Sequence, residues 1–244
     1  MIRFLLVATF VILFLVLSIP LLFIEWIIGK FNMDMKNKSS LAIVNWAFRV
    51  CLFLAGTSVT VIGEENVPKD VPVLYIGNHR SYFDILITYI RVPRPTGYIA
   101  KKEMLRYPLL SNWMKNLHCL FLDRKDIKQG LKTILTAIEK VKSGISICIF
   151  PEGTRNRVND TFMEFHEGSF KIAEKTGCPI IPMSINNSAQ IFEDHIPKIK
   201  KAHVVLEYGK PIYPAELSKE ERKHLGVYTQ NIIKETYFKN KELV

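Results

Sequence analysis

The stretch VPVLYIGNHRSYFD, residues 71–84, is an apolar run that ends at a glycine and passes directly into polar residues. Its first part, residues 71–76, predicts a short strand, and residues 82–90 predict the helix that follows. The stretch ISICIFPEGTR, residues 145–155, repeats this order, with a strand before a Pro-Gly turn. Strands that alternate with helices indicate an α/β fold, in which a central, mostly parallel or mixed sheet is flanked by helices.

A change in composition near residue 56 divides the chain. Residues 1–56 are strongly apolar and are predicted to form membrane-associated N-terminal helices, whereas residues 57–244 are predicted to form the α/β domain. The run from Ile2 to Ile28 is long enough to span a bilayer, whose hydrocarbon core needs about 20 apolar residues. A spanning anchor and a monotopic hairpin both fit this run. A cleaved signal peptide is the alternative, but it would need a stronger basic start than Arg3 alone.

A second apolar run covers residues 41–56 and carries Asn45 and Arg49 near its middle. An arginine at the bilayer centre costs about 2.5–3.5 kcal/mol, so this run is expected to lie at the interface or against the first run. Three lysines lie between the runs: Lys30, Lys36 and Lys38. Basic flanks favour the cytoplasmic side, so the catalytic domain is predicted to lie at the membrane on that side.

His79 and Asp84 are candidates for a general base and the carboxylate that orients it. Five positions along a regular helix rotate a side chain by about 500°, so the two residues cannot meet within one helix. They can meet if His79 precedes the helix and Asp84 lies in its first turn, with Ser81 as the N-cap. One ring nitrogen is then held and the other can accept a proton. The alternative is a surface histidine and an aspartate that interacts only with the helix dipole.

The turn after the strand at 145–150 supplies four candidate substrate-binding residues: Glu152, Gly153, Thr154 and Arg155. Ligands of open α/β sheets favour the carboxyl ends of the strands. Arg124 and Lys101 also follow predicted strands, so together with Arg155 they predict an anion pocket at that edge. The formal net charge of +10 fits an anionic lipid surface, a phosphorylated substrate, an acidic carrier protein or nucleic acid, and does not choose among them.

Four blocks of the sequence, in this order, resemble the glycerolipid acyltransferase family that includes bacterial 1-acyl-sn-glycerol-3-phosphate acyltransferase. They are Asn78–Asp84, Phe121–Arg124, Phe150–Arg155 and Pro179–Met183, and the resemblance covers roughly residues 60–215. It implies a membrane-bound enzyme that moves a fatty acyl group from acyl-CoA or acyl carrier protein to the free hydroxyl of a lysophospholipid. The first choice of acceptor is 1-acyl-sn-glycerol-3-phosphate, which would give phosphatidic acid. The pair His118-Cys119 departs from the family pattern, and this departure predicts an altered acceptor pocket.

The resemblance also assigns roles to the candidate residues. His79 is implied to be the general base and Asp84 the group that orients it, while the acceptor phosphate is clamped by Arg124 and Arg155, with Lys101 as a weaker candidate. Glu152 is implied to orient a polar group of the acceptor or a neighbouring loop. A backbone amide near the His79 loop is the expected oxyanion donor. No cofactor and no metal are expected, and acyl-CoA or acyl carrier protein is only a co-substrate.

Other functions remain as alternatives. Another lysolipid or glycerol 3-phosphate could be the acceptor, and a non-enzymatic, membrane-tethered basic lipid-binding protein is the alternative from a different class. A serine hydrolase would need a Gly-x-Ser-x-Gly elbow, and the alternative of a metalloenzyme would be supported by an H-E-x-x-H motif. The chain has neither motif. Nucleic acid is not an expected partner, because no nucleic-acid-binding motif is present.

Overall fold

The computed structural model describes all residues from 1 to 244. The helices are α1 Ile2–Leu17, α2 Ile19–Phe31, α3 Met33–Ala55, α4 Phe83–Tyr89, α5 Pro108–Asn116, α6 Ile127–Lys142, α7 Lys171–Thr176, α8 Lys219–Lys223 and α9 Leu225–Lys239. The strands are β1 Thr57–Ile62, β2 Leu74–Gly77, β3 Thr96–Lys101, β4 Leu120–Leu122, β5 Ser146–Ile149, β6 Ile180–Asn186 and β7 Ala202–Tyr208.

The seven strands form one sheet in the order β1-β7-β6-β2-β5-β3-β4. Every neighbouring pair is parallel except β6 and β7, which run antiparallel. The predicted α/β class, with a mostly parallel or mixed sheet flanked by helices, is therefore confirmed. Five adjacent strands, from β6 to β4, have their carboxyl ends at one edge, and this edge carries the predicted site.

The sheet is covered on both faces, as its apolar strands require. Alternate residues of β2 face opposite ways, so Tyr75 joins one core cluster while Leu74 and Ile76 join the other. The first cluster lies under α3, α4 and α5, and the second lies under α6, α7 and α9. The strands are thus fixed from both sides, and the loops at their ends start from rigid positions.

The first apolar run is divided into two helices. It breaks at Ser18 into α1 and α2, which are bent by 49°. Pro20 lies in the first turn of α2, where its missing N–H leaves no hydrogen bond unmade, so it starts a new helix without penalty. By length and composition, α3 is long and apolar enough on its own to cross a membrane, and α1 with α2 would qualify as one broken span.

The second apolar run was expected to lie either at the membrane interface or against the first run, and it packs against the first. The α3 helix contacts both α1 and α2, and its buried residues Val44, Leu52 and Ala55 belong to the same core cluster as the sheet. The indole N–H of Trp113 in α5 also donates to Ser18 Oγ at 2.9 Å. The composition change at residue 56 falls between α3 and β1, and the division into two domains stays a prediction.

Two helical segments of the chain are each divided by a local feature. The last segment is divided at His224 into α8 and α9, and Ser218 and Glu221 form a complete capping box for α8. Residues 102–116 form a 3₁₀ turn followed by α5, because Pro108 starts the second helix.

Candidate active site

His79 and Asp84 meet in the way that the sequence required. His79 lies in the loop after β2, and Asp84 lies in the first turn of α4. His79 Nδ1 and Asp84 Oδ2 are 2.8 Å apart. The expected N-cap was wrong, because the cap position of α4 is Tyr82 and Ser81 precedes it. The Ser81 hydroxyl still accepts a hydrogen bond from the Phe83 N–H at 3.0 Å, so its role at the start of the helix is retained.

The hydrogen bond to Asp84 fixes the tautomer of the imidazole. A carboxylate can only accept, so Nδ1 of His79 carries the proton and Nε2 presents a lone pair. Nε2 forms no hydrogen bond within the chain, and the His79 side chain is 14% exposed. The ring also stacks on Phe150, with 4.4 Å between the centroids and 14° between the planes. These contacts hold the free nitrogen in one direction, toward the open edge of the sheet.

One oxygen atom of Asp84 organises the whole His79 loop. Oδ2 accepts the His79 bond and also the backbone N–H groups of Arg80 and Ser81, each at 2.8 Å. The side chain is fully buried, and its other oxygen has no partner. Because the carboxylate is held by the backbone of its own loop, it keeps the position and orientation of the imidazole together.

Glu152 supports the loop from the neighbouring strand end. Its two carboxylate oxygens accept the backbone N–H of His79 at 2.9 Å and that of Met163 at 3.1 Å. Only 3% of the residue is exposed, and burial raises the pKa of the carboxyl, although both N–H groups oppose that shift. Glu152 thus orients a neighbouring loop, one of the two roles implied for it, and is not open to solvent.

The backbone amides near His79 are already occupied. Those of His79, Arg80 and Ser81 donate to Glu152 or Asp84, and that of Tyr82 donates to Glu193. These four amides are used to build the loop, so the expected oxyanion donor near the His79 loop has to be another amide, and its identity stays a prediction.

The three basic candidates, Lys101, Arg124 and Arg155, differ in whether a carboxylate of the chain already pairs with them. Arg155 pairs with Glu193 at 2.8 Å, and Lys101 pairs with Glu103 at 3.2 Å on the exposed surface. Arg124 forms no ion pair, and burial lowers the pKa of its guanidinium, although the more distant charge of Glu103 opposes that shift. A Cβ built on Gly153 would lie 4.0 Å from Arg124 Nε, so the residue after β4 reaches the turn after β5. Arg124 is the cation most available to an anion.

Gly153 has a positive φ of 70°, which favours glycine, and its open face looks onto His166 and Arg124. Thr154, the next residue, is exposed. Both therefore lie at the sheet edge, as expected, while the binding roles assigned to them stay predictions.

An apolar groove of about 870 Å³ begins beside these residues. Its polar end is lined by Arg124, Gly153 and His166, and Phe150 lines both the groove and one face of the His79 ring. Its length is lined mainly by one face of α6: Ile127, Gly130, Leu131, Ile134, Leu135 and Ile138. Three of these side chains are more than half exposed, namely Ile127, Leu131 and Leu135. The groove suits a long apolar chain that carries a negative group at one end.

A family model described as Acyltransferase matches residues 58–186, which is more than half of the chain. The chain belongs to the acyltransferase family. The resemblance inferred from the four blocks and the prediction that the protein is an enzyme of acyl transfer are both confirmed. A non-enzymatic lipid-binding protein is accordingly set aside.

This acyltransferase is similar to curated relatives over most of its length. It is 33% identical to the 1-acyl-sn-glycerol-3-phosphate acyltransferase of Borreliella burgdorferi, over 80% of the chain and 78% of the relative. It is also 33% identical to the enzyme of the same name from Helicobacter pylori, over 70% and 73% of the two chains. The crystal structure of the 1-acyl-sn-glycerophosphate (LPA) acyltransferase of Thermotoga maritima matches with a TM-score of 0.80 and 25% identity, covering 97% of this chain and 94% of that one.

The departure from the family pattern at His118 lies outside the groove of this acyltransferase. His118 Nε2 bonds Asn37 Oδ1 in α3 at 2.9 Å, and its other nitrogen lies 3.4 Å from Lys140 Nζ. Burial, with Lys140 and Lys36 nearby, lowers the pKa of His118 to about 4. His118 therefore joins the catalytic part to the N-terminal helices, and its effect on the acceptor pocket stays a prediction.

Three residues at the site of this acyltransferase were missed in the sequence. Phe150 was noted only as part of a block, and neither His166 nor Glu193 was predicted to lie at the site. Glu193 follows β6 and contacts two loops of the site. A signal existed for Glu193, because it lies beyond the carboxyl end of a strand that is parallel to β2.

Proposed function

We propose that this acyltransferase transfers a fatty acyl group from acyl-CoA or acyl carrier protein to the free hydroxyl of 1-acyl-sn-glycerol 3-phosphate, giving phosphatidic acid. The observation that carries the proposal is the free Nε2 of His79, whose Nδ1 is held by Asp84 at the edge where Arg124 forms no ion pair. The names of the relatives from Borreliella burgdorferi and Helicobacter pylori support this acceptor.

In the proposed mechanism, Nε2 of His79 takes the proton of the acceptor hydroxyl as the oxygen attacks the thioester carbonyl. A C–O bond forms and a tetrahedral oxyanion results. The C–S bond then breaks, and the imidazolium returns its proton to the leaving thiolate. Asp84 stabilises the imidazolium between these steps. The amides of Thr154 and Arg155 form no hydrogen bond within the chain, and they are the donors proposed for the oxyanion.

We further propose that Arg124 binds the acceptor phosphate, with Arg155 as the second cation and Lys101 as a weaker one. Replacing Arg124 with glutamine is expected to raise KM for the lysophospholipid about 10- to 100-fold, because a charge-assisted hydrogen bond contributes about 1.5–3 kcal/mol. Lys125→Gln, the next residue and an exposed lysine, is the control and should change KM less than about threefold. A similar rise in KM for both variants would mean that the effect is general surface charge.

The groove along α6 is proposed to hold a fatty chain, since both substrates carry one. Gly130 faces it from α6, and a Cβ there would meet only ordinary contacts, 3.8 Å from Leu122 Cδ1. Gly130→Leu should therefore fold, with a helix stabilised by up to about 1 kcal/mol, and should lower kcat/KM for 16-carbon chains about tenfold relative to 10-carbon chains. Gly130→Ala is the matched control. Chain length is varied separately in the donor and the acceptor, and an unchanged preference in both would exclude the groove.

The N-terminal helices are proposed to hold the enzyme at the membrane, with the catalytic domain on the cytoplasmic side. Their outward faces carry large apolar side chains, among them Phe23, Trp26 and Phe53, which are each more than half exposed. Lys30, Lys36 and Lys38 lie near the turn between α2 and α3 and suit anionic headgroups at about 1 kcal/mol each. Substrates dissolved in the bilayer would then reach the site without leaving the lipid.

The proposed function is tested with the purified protein in phosphatidylglycerol-containing vesicles. Labelled acyl-CoA or acyl carrier protein is supplied with a panel of lysolipids and glycerol 3-phosphate, and the products are identified by mass. Phosphatidic acid as the main product supports the proposal. A faster reaction with a different acceptor would overturn the acceptor assignment, and comparison of the two donors identifies the carrier.

A further inference from the structure

Glu193 is a partly buried acid that lies outside all four sequence blocks. It begins the 3₁₀ turn Glu193–His195 after β6, and its side chain is 14% exposed. Oε1 accepts the Tyr82 N–H and Arg155 Nη1, each at 2.8 Å, and Oε2 accepts the Ser81 hydroxyl. One carboxylate therefore joins the loop that carries His79 to the loop that carries Arg155.

Arg155 is held at two of its surfaces. Glu193 binds the Nη1 corner, and the flat face of the guanidinium lies over the Tyr82 ring with Cζ 3.6 Å from the centroid. Nε and Nη2 form no hydrogen bond within the chain, and the side chain is 23% exposed. Because guanidinium donors point in a fixed planar fork, fixing one corner and one face also fixes the direction of the remaining N–H groups.

We propose that Glu193 is a positioning residue that aims the free edge of Arg155 at the acceptor phosphate and keeps it in register with His79. The inference rests on the proposed function, since it needs a phosphate-bearing acceptor. A carboxylate near a phosphate would weaken binding if it did nothing else. Glu193 contacts Arg155 at Nη1, away from the free edge. This contact uses one donor of Arg155 but fixes the orientation of the remaining donors on Nε and Nη2.

The test compares Glu193→Gln with wild-type enzyme in vesicles, using lysophosphatidic acid and acyl-CoA. Glutamine keeps the size and one acceptor oxygen but loses the charge. KM for lysophosphatidic acid is expected to rise about tenfold or more, while kcat and KM for acyl-CoA change less than about threefold. Asp194→Asn, the neighbouring acid in the same turn, is the control and should leave all three constants near wild type.

A merely structural role is separated by a double-mutant cycle. If Glu193 acts through Arg155, Glu193→Gln should raise KM less than about twofold in an Arg155→Gln background. Additive effects, an unchanged KM or a lower KM in the single variant would each overturn the inference. Wild-type enzyme that fails to acylate lysophosphatidic acid would instead count against the proposed function. Thermal unfolding of every variant limits the comparison to folded protein. Glu193→Asp, which keeps the negative charge, should raise KM for lysophosphatidic acid less than Glu193→Gln does.

Discussion

Replacing His79 with alanine is expected to lower kcat by at least about 100-fold, because general base catalysis typically contributes 10²–10⁴-fold. No other group can take over the proton: the neighbouring carboxylates Asp84 and Glu152 are buried and already accept backbone N–H groups. The substitution leaves the hydrogen bonds from the Arg80 and Ser81 N–H groups to Asp84 intact, so the loop should keep its shape. Steady-state transfer to lysophosphatidic acid, with the thermal midpoint of unfolding measured in parallel, gives the answer.

The control for His79 is His203→Ala, which removes a histidine that bonds Ser58 and Thr60 between β1 and β7. That variant should transfer acyl groups at close to the wild-type rate. A His79→Ala enzyme that keeps more than a tenth of wild-type kcat, while folded, would show that the imidazole is not the base.

Replacing Asp84 with asparagine is expected to lower kcat roughly 10²–10³-fold without unfolding the loop. All three hydrogen bonds end on Oδ2, so the amide oxygen of asparagine can take that position and accept them all. The imidazole then keeps its proton on Nδ1, and only the negative charge that stabilises the imidazolium is lost. The loss should be smaller than the roughly 10⁴-fold that follows when such a substitution also imposes the wrong tautomer.

Asp84→Ala is the contrasting variant. It would leave the buried N–H groups of Arg80 and Ser81 without an acceptor, at about 1–3 kcal/mol each, so it should be clearly less stable than Asp84→Asn. Equal thermal midpoints for the two variants, or wild-type kcat in Asp84→Asn, would contradict this account of the carboxylate.

Sequence patterns predicted the elements that depend on local chemistry. The apolar run before Gly77 gave a strand, and the spacing of His79 and Asp84 allowed contact only across a loop–helix junction, which is what forms. Asp126 caps α6 by accepting the Gln129 N–H, a local contact of the same kind. The Gln129 side chain bonds the backbone of Asp123 and Phe121 and does not complete a capping box.

The rest depends on contacts between distant parts of the chain. Glu193 meets Tyr82 across 111 positions, and only its place beyond the end of β6 distinguishes it from a surface acid. The angle of 49° between α1 and α2 could not be predicted either, because an apolar run indicates a length in the bilayer and not the direction of the helices within it. The availability of Arg124 could not be separated from that of Arg155, since which cation has a carboxylate neighbour is decided by tertiary packing.

The three hydrogen bonds to Asp84 Oδ2 also bear on the kinetic mechanism, that is, on whether both substrates must be bound at once. A flip of the imidazole ring would remove Nδ1 from its acceptor and lift the ring off Phe150, so in the proposed mechanism the same nitrogen takes up and returns the proton. The alcohol oxygen and the thioester sulfur would then have to be within reach of that nitrogen in one ternary complex. We therefore expect sequential kinetics, with intersecting double-reciprocal lines, and not a ping-pong cycle.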